Sequence, residues 1–195
     1  MKLFMRFTVA CAAAITALVS VAGAQTDAED QESVNKAFGA IMASMPRDGD
    51  IIMTPWVSNL SVFGKADHEL IEDPDVPGHL ALRVTAEKGR NNWDASVVEP
   101  IGPAVKKGDL LVMVYYARVE EGSGEMPYNV IQFNSPPFNA LIAGSETVTG
   151  EWEIYVAQGK ADKNYKEGSI GVSMQLANAD HTIDFGPVFV LNLGQ

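Results

Sequence analysis

The chain has 195 residues, of which 47% are hydrophobic and 20% are charged, and its formal net charge is −11. This length and composition predict a globular protein with one compact domain and little chain left for a second. The negative charge argues against nucleic acids and anionic membrane surfaces as partners, and it disfavours acidic polysaccharides unless a local basic patch overrides the average.

The first 24 residues have the pattern of a cleaved signal peptide. Two basic residues precede an apolar run over residues 7–23, and the small residues 22–24 form an A-x-A-like site, which predicts cleavage before Gln25. The leader is of the bacterial type and predicts a periplasmic or secreted protein with no membrane insertion after cleavage. An uncleaved anchor is the alternative. Because the single cysteine, Cys11, leaves with the leader, we expect no disulfides.

Residues 25–54 are predicted to form an acidic N-terminal segment with one short helix. Residues 25–33 are polar, and we expect them to be loosely ordered. Apolar residues then recur at steps of three and four, which predicts an amphipathic helix over residues 31–45 that ends before Pro46 and Gly49. This helix either covers the core or docks a partner.

From about residue 55 the pattern changes to short alternating or apolar runs, separated by Gly, Pro, Asp and Asn about every ten residues. This spacing is typical of an all-β sandwich or barrel. Strands are predicted over residues 55–63, 79–86, 94–100, 109–120, 127–135, 140–148, 151–158, 169–177 and 182–192. We therefore expect residues 55–195 to form a single all-β domain.

No catalytic or metal-binding motif is recognisable in the sequence. It contains no G-x-S-x-G, no H-E-x-x-H and no phosphate-binding glycine loop, and its three histidines are scattered. We therefore predict a non-enzyme, with a small polysaccharide-active hydrolase or lyase as an alternative, since a pair of catalytic carboxylates leaves no fixed spacing.

The acidic loop over residues 71–79 offers a candidate calcium site. Glu72, Asp73 and Asp75 supply the hard oxygen ligands that calcium prefers, although the loop lacks the order of an EF-hand and its two prolines also suit a rigid turn. No cofactor is predicted, and a structural calcium ion stays an alternative.

Strand parity indicates a carbohydrate-binding face. Sugars present flat C–H faces and rims of hydroxyls, so their sites combine an exposed aromatic ring with polar side chains. The parity of the predicted strands directs seven candidates away from the core: Asp94, Ser96, Tyr116, Arg118, Gln132, Asn134 and Gln175. If their strands are neighbours in one sheet, they form one polar face with an aromatic residue; an ordinary solvated face is the alternative.

Trp93 stands at the start of the strand that carries two of these candidates. Its parity matches that of Ala95 and Val97, which places it on the core side, and a stacking surface for a ligand is the alternative. We keep Trp93 among the candidate sugar-binding residues.

Three stretches resemble the carbohydrate-binding jelly-roll domains of the galactose-binding-like superfamily, which are often appended to xylanases. They are "VKKGDLLVMVYYAR" (Val105–Arg118), "TVTGEWEIYVA" (Thr147–Ala157) and the segment Asn164–Gly194. The likeness extends upstream through "EDPDVPGHLALRVTAEKGRNNWDASV" and covers roughly residues 55–194. It implies a two-sheet antiparallel jelly roll that binds a polysaccharide or oligosaccharide and performs no catalysis itself.

Individual positions match the family's pattern. Gly108 and Asp109 match the turn before a central strand, Tyr116-Ala117-Arg118 matches the end of that strand, and Gly150 and Trp152 match the G-x-W that opens a later strand. Gln175 and the segment Asp180–Asp184 fall where such domains turn into their last strand.

The sequence departs from this family at two positions. Ser96 stands where members often carry a glutamine that reaches sugar hydroxyls, and Asp184 is followed by Phe185 and Gly186 where members often have paired acids for a structural calcium. With these two departures, the resemblance still implies a sugar-binding module, which we expect to be free-standing and monomeric. An envelope or protein-interaction jelly roll that has lost sugar binding is the alternative.

Overall fold

The computed structural model describes the backbone of residues 22–195 and the side chains of residues 31–195. The signal peptide predicted over residues 1–24 lies outside the described residues except for its last three. Within the described part of the chain, no helix combines the length and apolarity needed to cross a membrane.

Residues 22–195 form one N-terminal α-helix followed by eleven strands. Helix α1 spans Ala22–Ser44. The strands are β1 (Asp50–Ile51), β2 (Ser61–Gly64), β3 (Ala66–Glu72), β4 (Leu80–Ala86), β5 (Ala95–Ile101), β6 (Leu110–Gly122), β7 (Glu125–Phe133), β8 (Ala140–Thr147), β9 (Glu153–Lys160), β10 (Ile170–Gln175) and β11 (His181–Asn192). The predicted all-β class with an N-terminal helix is confirmed.

The strands form two antiparallel sheets that pack face to face. Sheet A has the order β3-β4-β11-β6-β9, with β1 added beside β11, and sheet B has the order β2-β5-β10-β7-β8. The predicted two-sheet sandwich is therefore confirmed. The apolar residues of β10 show how its sides are divided: Ile170, Val172 and Met174 lie in the core, so Gly171, Ser173 and Gln175 face outward.

Three predictions about local structure were wrong. Residues 25–33 are helical, because alanine, glutamine and glutamate continue α1 toward its N-terminus. The strand predicted over 55–63 is a 3₁₀ turn, Val57–Asn59, followed by the short β2. β3 was not predicted, because this edge strand is largely exposed on both sides and lacks an alternating pattern.

Helix α1 covers the outer face of sheet A. Val34 and Ile41 belong to a buried cluster with residues of β6 and β11, and Phe38 stacks on Phe189 with ring centroids 6.1 Å apart. This cover explains why the middle of β6 is apolar on both sides: one side faces the core between the sheets, and the other lies under the helix.

Candidate functional site

The outer face of sheet B carries a row of side chains that crosses four strands. Strand pairing aligns Phe63 of β2 with Ser96 of β5, Ser96 with Gln175 of β10, and Gln175 with Tyr128 of β7. Adjacent strands lie about 4.8 Å apart, so the row extends over about 14 Å. The row therefore has an aromatic ring at each end, with the hydroxyl of Ser96 and the amide of Gln175 between the two rings.

Two further rows continue this face toward the other end of the sheet. The second row contains Val98, Ser173 and Val130, and the third contains Pro100, Gly171 and Gln132. We call the surface formed by these three rows the groove. They contain no charged side chain, although 20% of the residues in the chain are charged. The groove therefore suits a neutral ligand.

Side-chain exposure gives this face the shape of a groove. In the first row the flanking rings are exposed, Phe63 at 67% and Tyr128 at 48%, whereas Ser96 and Gln175 between them are exposed at only 3% and 8%. Helix α1 packs on sheet A, so it does not shield this face. The first row therefore has two exposed rings on either side of two low, nearly buried polar side chains.

The polar groups of the groove have no partners within the described side chains of residues 31–195. No hydrogen bond is formed there by the hydroxyl of Ser96 or Ser173 or by the side-chain amide of Gln132 or Gln175. None of their polar atoms is among the fully buried, unpaired ones, so these atoms reach solvent. They are free to exchange water for the hydroxyls of a ligand.

Asn134 marks the end of the groove beyond the third row. Its amide group donates to the backbone oxygens of Gly168 at 3.1 Å and Ile170 at 2.8 Å. A side chain at position 171 would clash, because a Cβ there would lie 2.5 Å from Oδ1 of Asn134. Only glycine therefore lets Asn134 lie over this end of the groove.

Trp93 is not a core residue, so its parity-based placement was wrong. It lies in a 3₁₀ turn, Asn92–Asp94, that precedes β5, where the alternation of a strand does not apply. Its side chain is 59% exposed, and the turn contacts the ends of β2, β5 and β10. Trp93 therefore stands at the end of sheet B nearest the first row of the groove.

The carboxylate of Asp94 accepts hydrogen bonds from its own loop. Its Oδ2 accepts the backbone N–H groups of Arg90 at 2.9 Å and Asn91 at 3.0 Å, and its Oδ1 accepts the side-chain amide of Asn91. These hydrogen bonds, chiefly those from Asn91, lower the pKa of Asp94. The carboxylate organises the turn that presents Trp93.

Tyr116 and Arg118 do not join the other candidates, because β6 belongs to sheet A. Tyr116 is half-buried beside the cluster under α1, and this burial raises its pKa. Arg118 donates to Asp184 at 3.0 Å, contacts Asp73 at 2.9 Å, and lies over the ring of Trp152 at 4.9 Å. Both side chains are engaged on the face opposite to the groove.

The two flanking aromatics were absent from the predicted set. Tyr128 has the same parity as Gln132 on β7, so extending the count four residues back would have found it. Phe63 lay at the end of a strand predicted over 55–63 with the wrong start, and its outward direction followed only from its pairing with Ser96.

Two of the acids considered for calcium, Asp73 and Asp184, are held by the protein's own donors. Arg83 donates to both oxygens of the fully buried Asp184, at 2.7 and 2.8 Å, and this pairing raises the pKa of Arg83. Asp73 accepts the backbone N–H of Asp75 and the indole N–H of Trp152. Among the described side chains, no three His, Cys, Asp or Glu residues are grouped to hold a metal ion.

Known proteins are similar to this chain in fold rather than in sequence. No family model matches the sequence, and no curated protein matches it. A solved carbohydrate-binding module, CBM4, is 17% identical with a TM-score of 0.56, over 69% of this chain and 95% of that one.

Two further solved structures have similar values. The CBM22-1 xylan-binding domain of Paenibacillus barcinonensis Xyn10C is 12% identical with a TM-score of 0.53, over 77% of this chain and 99% of that one. The second N-terminal cellulose-binding domain of Cellulomonas fimi β-1,4-glucanase C is 15% identical with a TM-score of 0.54, over 77% and 94%. The jelly-roll fold expected from the sequence is confirmed.

Proposed function

We propose that this protein is a non-catalytic polysaccharide-binding module that holds a single glycan chain in the groove of sheet B. The observation that carries the proposal is the row formed by Phe63, Ser96, Gln175 and Tyr128. It places two exposed rings on either side of a hydroxyl and an amide that have no partner among the described side chains.

This arrangement matches the chemistry of a sugar chain. The C–H faces of sugar rings pack on Phe63 and Tyr128, which contribute apolar area, while the side chains of Ser96, Ser173 and Gln175 exchange hydrogen bonds with sugar hydroxyls. Gln132 and Asn134 continue the polar contacts toward the far end. Because the side chains of Ser96 and Ser173 are small, a bound chain can lie close to the strand backbones.

The names of the structural neighbours narrow the candidates. One neighbour is described as xylan-binding and another as cellulose-binding. The groove has no charged side chain, so a neutral xylan or cellulose type of chain is the proposed ligand class. The leader pattern adds the proposal that binding takes place in the periplasm or outside the cell.

Binding to polysaccharides tests this function directly. Affinity electrophoresis in gels that contain xylan, hydroxyethylcellulose or mixed-linkage β-glucan should retard the protein on at least one of them. Titration calorimetry with xylohexaose and cellohexaose should then give dissociation constants between about 1 µM and about 1 mM. A protein that migrates unretarded in every gel and gives no heat with either hexasaccharide would contradict the proposal.

A matched pair of glutamine variants tests the position of the site. Gln175→Ala removes an amide from the groove. Gln158→Ala removes an exposed amide from β9 of sheet A, where Gln158 lies opposite Val112 of β6. We expect Q175A to weaken binding about fivefold to tenfold, the effect of losing one or two hydrogen bonds, and Q158A to leave it unchanged. Equal losses in both variants would place the ligand elsewhere.

A second candidate function is supported by an exposed apolar strip on sheet A. Ile154 and Val156 of the edge strand β9 are 48% and 45% exposed. Apolar area on an edge strand suits a protein partner, as expected for an envelope protein that has lost sugar binding. Co-purification of a stable partner that Ile154→Lys abolishes, together with no glycan binding, would favour this function.

A further inference from the structure

Five lysines lie together at the end of the sandwich where the groove finishes. The loop between β5 and β6 carries Lys106 and Lys107, and the chain from the end of β9 to β10 carries Lys160, Lys163 and Lys166. The two segments are joined by a pair of backbone hydrogen bonds between Val105 and Tyr165, at 3.0 and 2.8 Å. We call these five residues the lysine patch.

Further contacts hold the two segments in one position. Gly108 donates its N–H to Ala161 at 2.8 Å, and the N–H of Lys107 donates to the side chain of Asn164 at 2.8 Å. The ammonium of Lys163 lies 4.8 Å from the ring centre of Phe133 and 5.5 Å from that of Tyr165. The backbone of the patch is thus fixed while its five side chains remain exposed.

The patch is a positive region on a negative protein. It contains five of the 14 lysine and arginine residues in a chain whose net charge is −11. Three acids lie in the same two segments, the buried Asp109 and the exposed Asp162 and Glu167, so five lysines face three carboxylates and the charge is compensated only in part. Asp109 is buried and accepts the N–H of Lys106, and Asp162 accepts the hydroxyl of Tyr165, which together with Lys163 and Lys107 lowers the pKa of Asp162.

The patch is connected to the end of the groove through Asn134. The side chain of Asn134 bonds to Gly168 and Ile170, directly after the segment that carries Lys163 and Lys166. Phe133, under Lys163, is the residue next to Gln132 of the groove's third row. A chain that leaves the groove past Asn134 therefore reaches a segment with two exposed lysines, Lys163 and Lys166, and one exposed acid, Glu167, whereas the groove itself carries no charge.

We propose that the lysine patch binds a carboxylate carried by the glycan whose neutral sugars lie in the groove. This inference rests on the proposed function and adds the ligand's charge to it. A lysine ammonium on a flexible four-carbon stem suits this task, because it can reach a carboxylate at more than one position along a bound chain. Exposed lysines also raise the rate at which an acidic chain is captured.

Paired neutral and acidic oligosaccharides test the inference. The probes are xylohexaose against a xylo-oligosaccharide of the same length with one glucuronic acid branch, and cellohexaose against the same chain oxidised to carboxylate at C6. At about 0.02 M salt, the wild-type protein should bind the acidic member about threefold to tenfold more tightly. At about 0.5 M salt the preference should disappear, because screening then acts within a few ångströms.

A charge-matched pair of double variants locates the effect. Lys163→Gln with Lys166→Gln should abolish the preference for the acidic member and leave binding of the neutral one unchanged. Lys65→Gln with Lys88→Gln changes the net charge equally at positions outside the patch and should keep the preference. Thermal unfolding confirms that each variant is folded.

The outcomes separate the inference from the function on which it rests. Absence of binding to both neutral hexasaccharides would contradict the proposed function. Neutral binding without a salt-sensitive preference, or equal loss of preference in both double variants, would overturn only the role of the lysine patch. Equally tight binding of double-stranded DNA would also overturn it, since it would show a general affinity for polyanions.

Discussion

The outer faces of the two sheets serve different roles, although inward and outward side chains alternate along the strands of both sheets. On sheet A, the apolar part of the face lies under helix α1, and its arginines are paired with Asp184, Asp73 and Glu120. On sheet B, the three rows of the groove carry no charge, and the side-chain amide of Gln175 has no protein partner among residues 31–195.

The difference teaches that function depends on what covers a sheet rather than on the alternation within its strands. Arg118 and Gln175 are both polar side chains that point away from the core. The loop that contains Asp73 reaches over sheet A and engages Arg118, whereas no side chain of residues 31–195 hydrogen-bonds to Gln175 in the groove of sheet B. The polar groups of sheet A therefore stabilise the fold, and those of sheet B are available to a ligand.

The largest expected effect comes from breaking the charged cluster on sheet A. Asp184→Asn keeps the size of the side chain but leaves Arg83 and Arg118 without their shared carboxylate, which is 0% exposed. We expect the free energy of unfolding to fall by about 3 kcal/mol, because two partly buried arginines lose the buried carboxylate that they share and keep only their pairs with Asp73 and Glu120. Urea denaturation measures this change.

The control for this variant is Glu120→Gln, which changes an acid that touches the same arginines but is 46% exposed. It should cost less than about 1 kcal/mol, as solvent-exposed pairs do. Folded D184N should still bind glycans in the groove like the wild type. A stability loss as small as that of E120Q would contradict a structural role for the cluster.

Glu99 provides the contrasting acid on sheet B and the second prediction. It shares the parity of Val97 and Ile101, which lie in the core, it is 6% exposed, and its Oε2 has no partner among the described side chains. Burial raises its pKa from the ordinary 4.5 to about 7. Unlike Asp184, this carboxylate has no arginine to stabilise its charge.

A raised pKa makes the folded state bind the proton more tightly than the unfolded state does. Between about pH 4.5 and pH 7 stability therefore falls as the pH rises, and the full cost of the charge is present above pH 7. Glu99→Gln should raise the free energy of unfolding by about 1 to 3 kcal/mol at about pH 8 and change it little at about pH 4.

Urea denaturation across this pH range checks the prediction, with Glu121→Gln as the control at an exposed position. The control should be nearly neutral at each pH. If E99Q shifted stability equally at both ends of the range, the pH dependence would come from other groups.

The third prediction concerns the rings that flank the groove. Phe63→Ala and Tyr128→Ala should each weaken glycan binding by about 1 to 2 kcal/mol, the typical loss for an aromatic residue that anchors a ligand. Since both rings are highly exposed, the fold should be little affected. Titration calorimetry with the best-binding hexasaccharide measures the loss.

The matched control lies on sheet A. Ile154→Ala removes an apolar side chain of similar exposure, 48%, from the opposite face, and it should leave the affinity unchanged. A loss of binding in I154A but not in Y128A would reverse the comparison between the two sheets and place the ligand on sheet A.

Much of the fold was predictable because its signals are local. Alternation along β10 correctly placed Gln175 outside the core, and the changing period separated the helix from the strands. β3 was missed because an exposed edge strand needs no apolar side, and Trp93 was misplaced because a 3₁₀ turn interrupts the parity of the strand. These errors are local as well.

The composition of the site was predictable only in part, because sheet membership is decided by contacts between residues far apart in the sequence. Parity placed Ser96 and Gln132 on outward faces correctly. It placed Tyr116 and Arg118 outward too, but it could not reveal that β6 pairs with β11 and β9 rather than with β10. The loop of Asp73 and the helix, which occupy that face, are likewise distant in sequence.

The smallest expected effect belongs to Ser96, where relatives of the resembled family often carry a glutamine. Ser96 lies between Phe63 and Gln175 in the first row, and the residue as a whole is 3% exposed. Ser96→Ala should weaken glycan binding by about 0.5 to 1 kcal/mol, or about twofold to fivefold, because one hydrogen bond is lost and no shape changes. Ser58→Ala, at an exposed position in the 3₁₀ turn before β2, is the control.

Combining Ser96→Ala with Tyr128→Ala shows whether ring and hydroxyl hold the same chain. If a glycan spans the row, its contact with the ring positions it for the hydroxyl, so the double variant should lose less than the sum of the two single losses. Additive losses would mean that the two ends of the row act independently. An unchanged affinity in S96A would mean that the chain is held by the two rings above the floor, and would leave the amide of Gln175 as the polar contact to test next.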